Sequence, residues 1–553
     1  MRAGIYIGLT IAVLTALGYV VFPGHTYLQS DTQIYVPMLE RLWNPSVLQR
    51  DFMVERPHMA FTVYDEVALA LRRWTGLDFR EVLTIQQLLF RALGILGIYL
   101  IARSLRLGKR MSLLVAGIFS LGATIWGPTV LTMEYEPVPR GFALPLTLLA
   151  VGFLSRGWYL AAGAAASLSF LYHGTTALPF WLCYLCLLLY PAERQVRLRR
   201  LAGLLPLLTA SLILAALSMA QADAAQRLPL LQRLPPWWEQ TLRLRATYIW
   251  VSLWFPRWYW HYSLLSAVSA TALWRLRKDM SPNLAIPLAG LPLMGILSMP
   301  VSYLLLEVSG LVWAPQLQPM RAVLFVTLTA GLLSSVAGIR AAQAGRWLEA
   351  LGWFLAAFAL PTGDAVQDLL LPDLGNPAIV RRVVLVMLLA ALAVAGAWAD
   401  AARRQGAVAA WAVLLLTPFF LYPTVGRVEN YPKLDRTAVD DLAGWARSST
   451  QTDAVFLFPD AGRALYPGEF RALALRALYV DWKGGGQANY SEEVAKEWRE
   501  RWRAVMQPPF RRGDLRHYML PGVDYLVLAA SNRPDGETPL YENTSFLVYR
   551  ARR

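Results

Sequence analysis

The 553-residue chain has only two cysteines, Cys183 and Cys186, and both lie in one apolar run. That excludes a disulfide framework. A Cys-x-x-Cys pair buried in lipid, with no His or further Cys nearby, packs rather than binding zinc or cycling electrons. Charge is scarce, at 16% of residues. There is no nucleotide loop: Gly484, Gly485 and Gly486 lack the strand–GxGxxG–helix setting and the Lys-Ser/Thr of a P-loop, and read as a flexible turn. No internal repeat or low-complexity segment is found. A cleavable leader is not expected. The first apolar span starts almost at Met1, has only Arg2 as a basic flank and is followed by no A-x-A site, so it reads as a retained signal-anchor.

Apolar residues dominate instead, at 56% hydrophobic with a mean hydropathy of +0.39. They are grouped in runs of roughly 18–22 residues, the length that crosses a bilayer as a helix. The expectation is an α-helical polytopic membrane protein with about thirteen spans. These lie near 4–22, 84–102, 111–130, 138–155, 158–172, 175–190, 201–220, 261–274, 284–305, 320–339, 347–361, 379–399 and 407–424. The fifth and sixth would alternatively form one broken helix around Tyr172-His173-Gly174.

The net charge of +15 comes almost entirely from Arg. In a soluble chain it would suggest nucleic acid. Here no nucleic-acid partner is expected, because the charge falls in short loops between spans. Arg103, Arg106, Lys109 and Arg110 follow the second span, and Arg194, Arg197, Arg199 and Arg200 the sixth. Arg275, Arg277 and Lys278 follow the eighth, Arg340 and Arg346 the tenth, and Arg403 and Arg404 the twelfth. With alternating spans all five loops face one side, the cytoplasm by the positive-inside rule. The N-terminus is then cytoplasmic, and the loops 23–83 and 221–260 and the tail face outward.

From Gly426 the composition turns charged, with alternating strand and helix signals. DRTAVDDLAGWARSS reads as a helix capped by Asp435, and DAVFLF and ALYVD as strands. SEEVAKEWRERWRAVM reads as an amphipathic helix opened by Ser491 with Glu at the capping-box offset. VDYLVLA and SFLVYRA close the chain as strands. The division is thus a membrane domain over 1–425 and a soluble α/β domain over 426–553, large enough for its own core.

One polar stretch stands out, His25 to His58, HTYLQSDTQIYVPMLERLWNPSVLQRDFMVERPH. It follows the first span and places Asp31 at the membrane–water boundary, with Asp51, Glu55, Arg56 and His58 after it. The apolar spacing of Val47, Leu48 and Phe52, and of Val63, Val67 and Leu71, predicts one or two amphipathic helices on the outer surface. A short first span, an acid at its outer end, a long first outer loop, about thirteen spans and an outer soluble domain together resemble the GT-C superfamily of membrane glycosyltransferases. Residue-level likeness rests on Asp31 in SDTQIY, Glu134 and Glu136 in MEYEP and Arg321 in QLQPMR. The stretch FRALALRALYVDWKGG, Phe470 to Gly485, is similar to the tails of uncharacterised bacterial multi-pass proteins. The tail lacks the Trp-Trp-Asp motif of oligosaccharyltransferases, which argues against Asn-linked transfer to protein.

The resemblance implies a polyprenyl-phosphate-linked sugar as donor, a glycan, lipid or protein acceptor, transfer with inversion, and a place in the bacterial inner membrane among its lipids. Asp31 is then the expected catalytic base, its pKa raised by desolvation; the plain alternative is a helix-flanking Asp in a turn. Arg321 would bind the donor phosphate bidentately, or else snorkel to headgroups. Arg140 holds a similar position, with snorkelling the favoured reading. His173, in FLYHGTT, and His58, in ERPHM, are further candidates for the same cavity. If a Mg²⁺ or Mn²⁺ ion is used, Asp31, Asp51 and one of Glu134 or Glu136 would supply its oxygen ligands. The Trp/Tyr-rich loop around PPWWEQTLRLRATYIWVSLWFPRWYWHYS reads as an interfacial girdle or a stacking platform for sugars. Arg471, Arg476, Asp481 and Lys483 would form an acceptor surface in the tail. A lipid-linked sugar flippase and a non-catalytic envelope-assembly protein are the competing classes. The absence of repeated halves counts against the flippase.

Overall fold

The structure, a computed structural model, describes residues 2–359 and 436–551 apart from 56, 57, 60, 61, 126, 129 and 222–230. The expected spans near 379–399 and 407–424, the domain boundary and Asp435 lie outside the described residues. The chain opens with α1 (Arg2–Val20), then α2 (Thr32–Trp43) and α3 (Tyr64–Thr75) in the first long loop. There follow α4 (Phe79–Ser104), α5 (Lys109–Phe119), a short hairpin of β1 (Thr124–Ile125) and β2 (Val130–Leu131), α6 (Pro139–Ser155), α7 (Tyr159–Tyr172) and α8 (Gly174–Leu189). Next come α9 (Arg194–Ala202), α10 (Leu205–Gln221), α11 (Pro236–Arg245), α12 (Pro256–Leu276), α13 (Pro282–Ser302), α14 (Ala314–Leu317), α15 (Leu324–Gln343) and α16 (Trp347–Ala359). Among the described residues, four runs are long and apolar enough to cross a membrane: Phe79–Ser104, Arg194–Gln221, Pro282–Val308 and Ala314–Gln343. Shorter apolar helices accompany them. This is a multi-pass membrane protein. The Ala314–Gln343 run is 89% covered by the rest of the chain and Arg194–Gln221 only 17%, so the first is central and the second peripheral.

Local chemistry explains the boundaries. Asp78 opens α4 with a full capping box, its side chain accepting from Glu81 N while Glu81 reaches back to Asp78 N. Pro139 starts α6, where a missing N–H costs nothing. The expected span over 111–130 stops at Phe119, because Gly122 (φ +72°) and Gly127 (φ +85°) turn the chain into the hairpin. The break at Tyr172-His173-Gly174 separates two helices: His173 is extended, with φ −158° and ψ 91°. Among the described residues, α4 and α6 share the most extensive helix–helix contact. A Cβ on Gly97 would stand 2.6 Å from the Leu148 carbonyl carbon, so glycine is required for this approach.

The first loop holds α2 and α3 as its helices. Val47, Leu48 and Phe52 are buried but belong to turns rather than to the expected helix. The tail is a three-layer α/β unit: α17 (Thr437–Ser449), β3 (Val455–Leu457), α18 (Tyr466–Ala474), β4 (Ala477–Leu478), α19 (Glu492–Val505), β5 (Tyr525–Ala529), β6 (Tyr541–Glu542) and β7 (Phe546–Arg550). Strand order is β4-β3-β5-β7-β6, with β3 parallel to β4 and β5, and β7 antiparallel to β5 and β6. Alternation along the strands makes the layers. Phe456, Val527 and Val548 pack with the α17 and α18 residues Leu442 and Phe470; Leu457, Leu526 and Leu547 pack with Trp498 and Trp502 of α19. Ser491 caps α19 by accepting from Val494 N at 3.4 Å. The residue at the capping-box offset is Val494, so the expected reciprocal Glu bond does not exist.

The first loop, α11 and the tail meet on one end of the helical body. Trp238, fully buried, donates from Nε1 to Ala488 O at 2.8 Å. Burying one indole contributes about 4–6 kcal/mol before entropy is counted. Arg50 reaches Asp524 at 2.7 Å. At the opposite end Arg106 and Arg340 converge on Asp279, bringing three of the expected basic loops together.

Candidate functional site

Asp31 stands at the N-terminal boundary of α2, where the first loop meets the tail. Glu136 fixes its backbone. The Glu136 carboxylate accepts from Ser30 N at 2.7 Å, Asp31 N at 2.9 Å and Thr32 Oγ1 at 2.6 Å. It is buried, and burial followed by the Asp31 charge raises its pKa. Glu136 is therefore a brace for the 30–32 segment, with its oxygens already engaged. Glu134 is held from below: its carbonyl accepts from Gln87 at 3.1 Å and from Arg91 at 2.6 Å, both buried on α4. Arg91 also donates to Gly18 O and Gly24 O. One intramembrane guanidinium thus ties the end of α1, the start of the first loop and the MEYEP turn.

The Asp31 carboxylate carries two cations. Lys483 Nζ donates to Oδ1 at 2.6 Å and to Ser30 Oγ at 2.7 Å; Arg140 Nη1 donates to Oδ2 at 2.5 Å. Arg140 also donates from Nε to Glu134 at 2.7 Å. Burial alone would raise the Asp31 pKa, but Lys483 and then Arg140 outweigh it and hold it well below the ordinary carboxylate range. The expected raised pKa is thus corrected: two cations arriving from distant segments reverse the sign. Arg140, for which snorkelling was the favoured expectation, is half-buried and bridges Asp31 to Glu134.

Beside this cluster is a small cavity, about 260 Å³ of empty space counting the part open to solvent. Glu134, Arg140, His173, Thr176 and Arg321 supply its polar lining. Arg321 lies on the 3₁₀ turn Pro319–Val323 that leads into α15, with its guanidinium 5.5 Å from the Tyr248 ring centroid. Its Nε is buried and unpaired among the described residues, leaving a donor for an anion. His173 Nδ1 meets Thr176 Oγ1 at 2.8 Å and Thr175 Oγ1 at 3.0 Å. Burial, with the Arg321 and Arg140 charges, pushes its pKa down to about 3, so the imidazole is neutral.

Other expected members are elsewhere. Asp51 is completely buried beneath the tail, accepting from Leu478 N and Met53 N, both at 3.0 Å, and lying 3.8 Å from Arg471. It does not gather with Glu134 and Glu136, so the expected cation ligand set is not assembled. His58 does not line the cavity; it pairs with Asp65 at 2.9 Å. Arg471, Asp481 and Lys483 do not form an acceptor surface. Arg471 is fully buried, bonds Asp481 at 2.8 Å and docks the tail onto the first loop. The three glycines form a 3₁₀ helix, Gly484–Asn489, packed so closely that a Cβ on Gly485 would strike the Trp498 ring at 2.4 Å. Sequence reasoning missed Arg91, although an Arg within an apolar run is itself a signal. It gave Lys483 the wrong partners, and no local signal pairs residues so far apart.

With this geometry in place, comparison with known proteins adds the following. Residues 437–505 match a domain of unknown function (DUF6798); this stretch contains Arg471, Asp481 and Lys483. No curated protein matches by sequence. Among solved structures the chain is similar to ArnT from Cupriavidus metallidurans in the apo state, with TM-score 0.49, 13% identity and coverage of 100% of this chain and 98% of that one. It is also similar to the Archaeoglobus fulgidus oligosaccharyltransferase, with TM-score 0.42, 11% identity and coverage of 95% and 69%. A third is the arabinofuranosyltransferase AftD from Mycobacteria, with TM-score 0.45, 14% identity and coverage of 96% and 35%. At such identities no residue correspondence follows.

Proposed function

We propose that the protein is a membrane glycosyltransferase that moves a sugar from a polyprenyl-phosphate donor to an extracytoplasmic acceptor with inversion, and that it resides in a bacterial inner membrane with its tail domain outside. The observation that carries this reading is one carboxylate, Asp31, held by two cations, Lys483 and Arg140, the second of which lines a cavity together with Arg321. The acceptor hydroxyl attacks the anomeric carbon from the face opposite the phosphate. The carbon–oxygen bond to the phosphate breaks, and the lipid phosphate leaves with the electron pair. The acceptor proton passes to Asp31.

The two bonded cations give this step an order. Asp31 paired with Lys483 and Arg140 is a weak base. A donor phosphate competes for the same cations, and drawing them away lifts the depression of the Asp31 pKa. Base strength then appears when donor is bound. Arg321, with its unpaired Nε, stabilises charge on the leaving phosphate. His173, neutral, serves as a hydrogen-bonding wall.

The test uses undecaprenyl phosphate as probe, with the full chain in nanodiscs, and sugar transfer from lipid extract in membranes. Asp31→Asn is expected to lower turnover by roughly 10²–10⁴-fold while lipid-phosphate binding survives. Arg321→Ala is expected to weaken both. Equal binding by wild type and Arg321→Ala, with turnover unchanged in Asp31→Asn, would sink the assignment.

A further inference from the structure

A second cluster of ionisable groups stands apart from Asp31, at the start of α3. His58, Asp65 and Glu66 each place one donor atom within 4.8 Å of the other two. His58 Nδ1 is 2.9 Å from Asp65 Oδ2. Asp65 is 0% exposed, yet its Oδ1 has no hydrogen-bond partner among the described residues, and neither has Glu66 Oε2. Glu66 Oε1 accepts from Gln221 Nε2 at 2.5 Å, at the end of α10, and the other amide atom of Gln221, Oε1, is again buried and unpaired. Three buried oxygens from three adjoining side chains thus find no donor among the described residues. Such groups are rare in folded proteins and point to something that takes their lone pairs.

The charge balance points the same way. Two adjacent carboxylates, one wholly enclosed, face a single imidazole, and the only ion pair of Asp65 among the described residues is with that His. The segment is held rigidly. Thr62 Oγ1 donates to Tyr172 O at 2.9 Å, Val63 N to Leu171 O at 3.1 Å and Tyr64 Oη to Pro137 O at 2.7 Å. His58 is exposed, which gives an entry path.

We propose that His58, Asp65 and Glu66 form a binding site for a divalent transition cation, zinc in the first place, that fastens the first loop to the end of α10. One imidazole and two carboxylates are a nitrogen–oxygen set suited to zinc and poorly suited to calcium or magnesium, which take oxygens alone. Donors at about 2.0–2.2 Å in a zinc tetrahedron stand about 3.3–3.6 Å apart, so the cluster, whose donor atoms lie within 4.8 Å of one another, closes by up to about 1.5 Å on binding. The unpaired Oδ1 and Oε2 become ligands or accept from a metal-bound water. Gln221, bonded to Glu66, holds that ligand in place from the second helix. This site is independent of the glycosyltransferase reading and does not share residues with it.

The experiment takes the full chain in detergent, strips it with EDTA, dialyses it against ZnCl₂ and then against metal-free buffer. Metal per chain is read by mass spectrometry, and the melting temperature is read with and without zinc. Wild type is expected to retain one zinc and to melt higher with it. The Asp65→Asn/Glu66→Gln double variant is expected to retain none and to show no shift. His58→Ala, at an exposed position that folding tolerates, is expected to weaken zinc binding at least tenfold. Magnesium and calcium at the same concentration are expected to give no shift. A wild type that retains no zinc and melts unchanged overturns the proposal, since the carboxylates then merely share a proton. Equal retention by wild type and His58→Ala also overturns it, and so does equal stabilisation by magnesium. Failure of the double variant to fold leaves His58→Ala to decide.

Discussion

Replacing Arg471 by Ala removes the cation between two buried carboxylates. Arg471 is 0% exposed, lies 2.8 Å from Asp481 and 3.8 Å from Asp51, and Asp51 and Asp481 are themselves 1% and 2% exposed. Breaking a buried pair from one side costs about 3–5 kcal/mol, because the partner charge is left without compensation. The loss is local and has local reporters: Leu478 N is bonded to Asp51 Oδ2 and Gly484 N to Asp481 Oδ2, both at 3.0 Å. At about 1.36 kcal/mol per decade, exchange of these two amides by hydrogen–deuterium exchange should quicken by roughly a hundred- to several-thousandfold at pH 7. The pH dependence has a definite sign. Burial already raises the Asp51 pKa, opposed by Arg471, so the variant raises it further. A carboxyl whose folded pKa exceeds its unfolded one contributes most below the unfolded value and loses that contribution as pH rises through the folded value. The variant's deficit in protection should therefore narrow as pH falls from 7 toward 4. An increase in exchange under tenfold at pH 7, or a deficit that widens on acidification, refutes the reasoning.

Four further outcomes are expected. Lys483→Met removes the first cation on Asp31, so its pKa should rise and the acid limb of the turnover profile should move to higher pH; a profile shifted the other way counts against the pairing. Gly97→Leu would drive a side chain into the Leu148 backbone and should cost at least about 1–3 kcal/mol, read as a lower melting temperature in detergent; an unchanged melt would mean that α4 and α6 are farther apart. Ser491→Ala should destabilise the tail by about 0.5–2 kcal/mol through the lost cap, measured by denaturant unfolding. A reporter active only in the cytoplasm, fused after Arg553, should remain inactive; activity there would invert the orientation.

Helix positions were legible because a bilayer demands a long apolar run, and length survives without knowing the fold. The overshoot at 111–130 shows the limit: hydropathy continues through Gly122 and Gly127, while backbone freedom at those glycines decides where the helix stops. No helix was expected over Tyr466–Ala474, and its Pro467 stands in the first turn, where proline is tolerated. In the site, Asp31, Arg321, Glu134 and Glu136 were visible as charged residues at span ends. Asp51 and His58 were grouped with Asp31 because they share its loop, but the loop turns them toward the tail and toward α3. The Asp31 proton affinity had the wrong expected sign because it depends on Lys483 and Arg140, which no local pattern ties to it.

The lysine on Asp31 is 452 residues further along the chain. During synthesis every membrane helix before it emerges and inserts while that carboxylate still lacks one of its two partners. The cluster therefore reaches its final form only after the tail has folded and met the first loop. Assembly order is written into the distance between two charges, and a molecule whose tail fails to fold against the first loop is left with an unfinished centre.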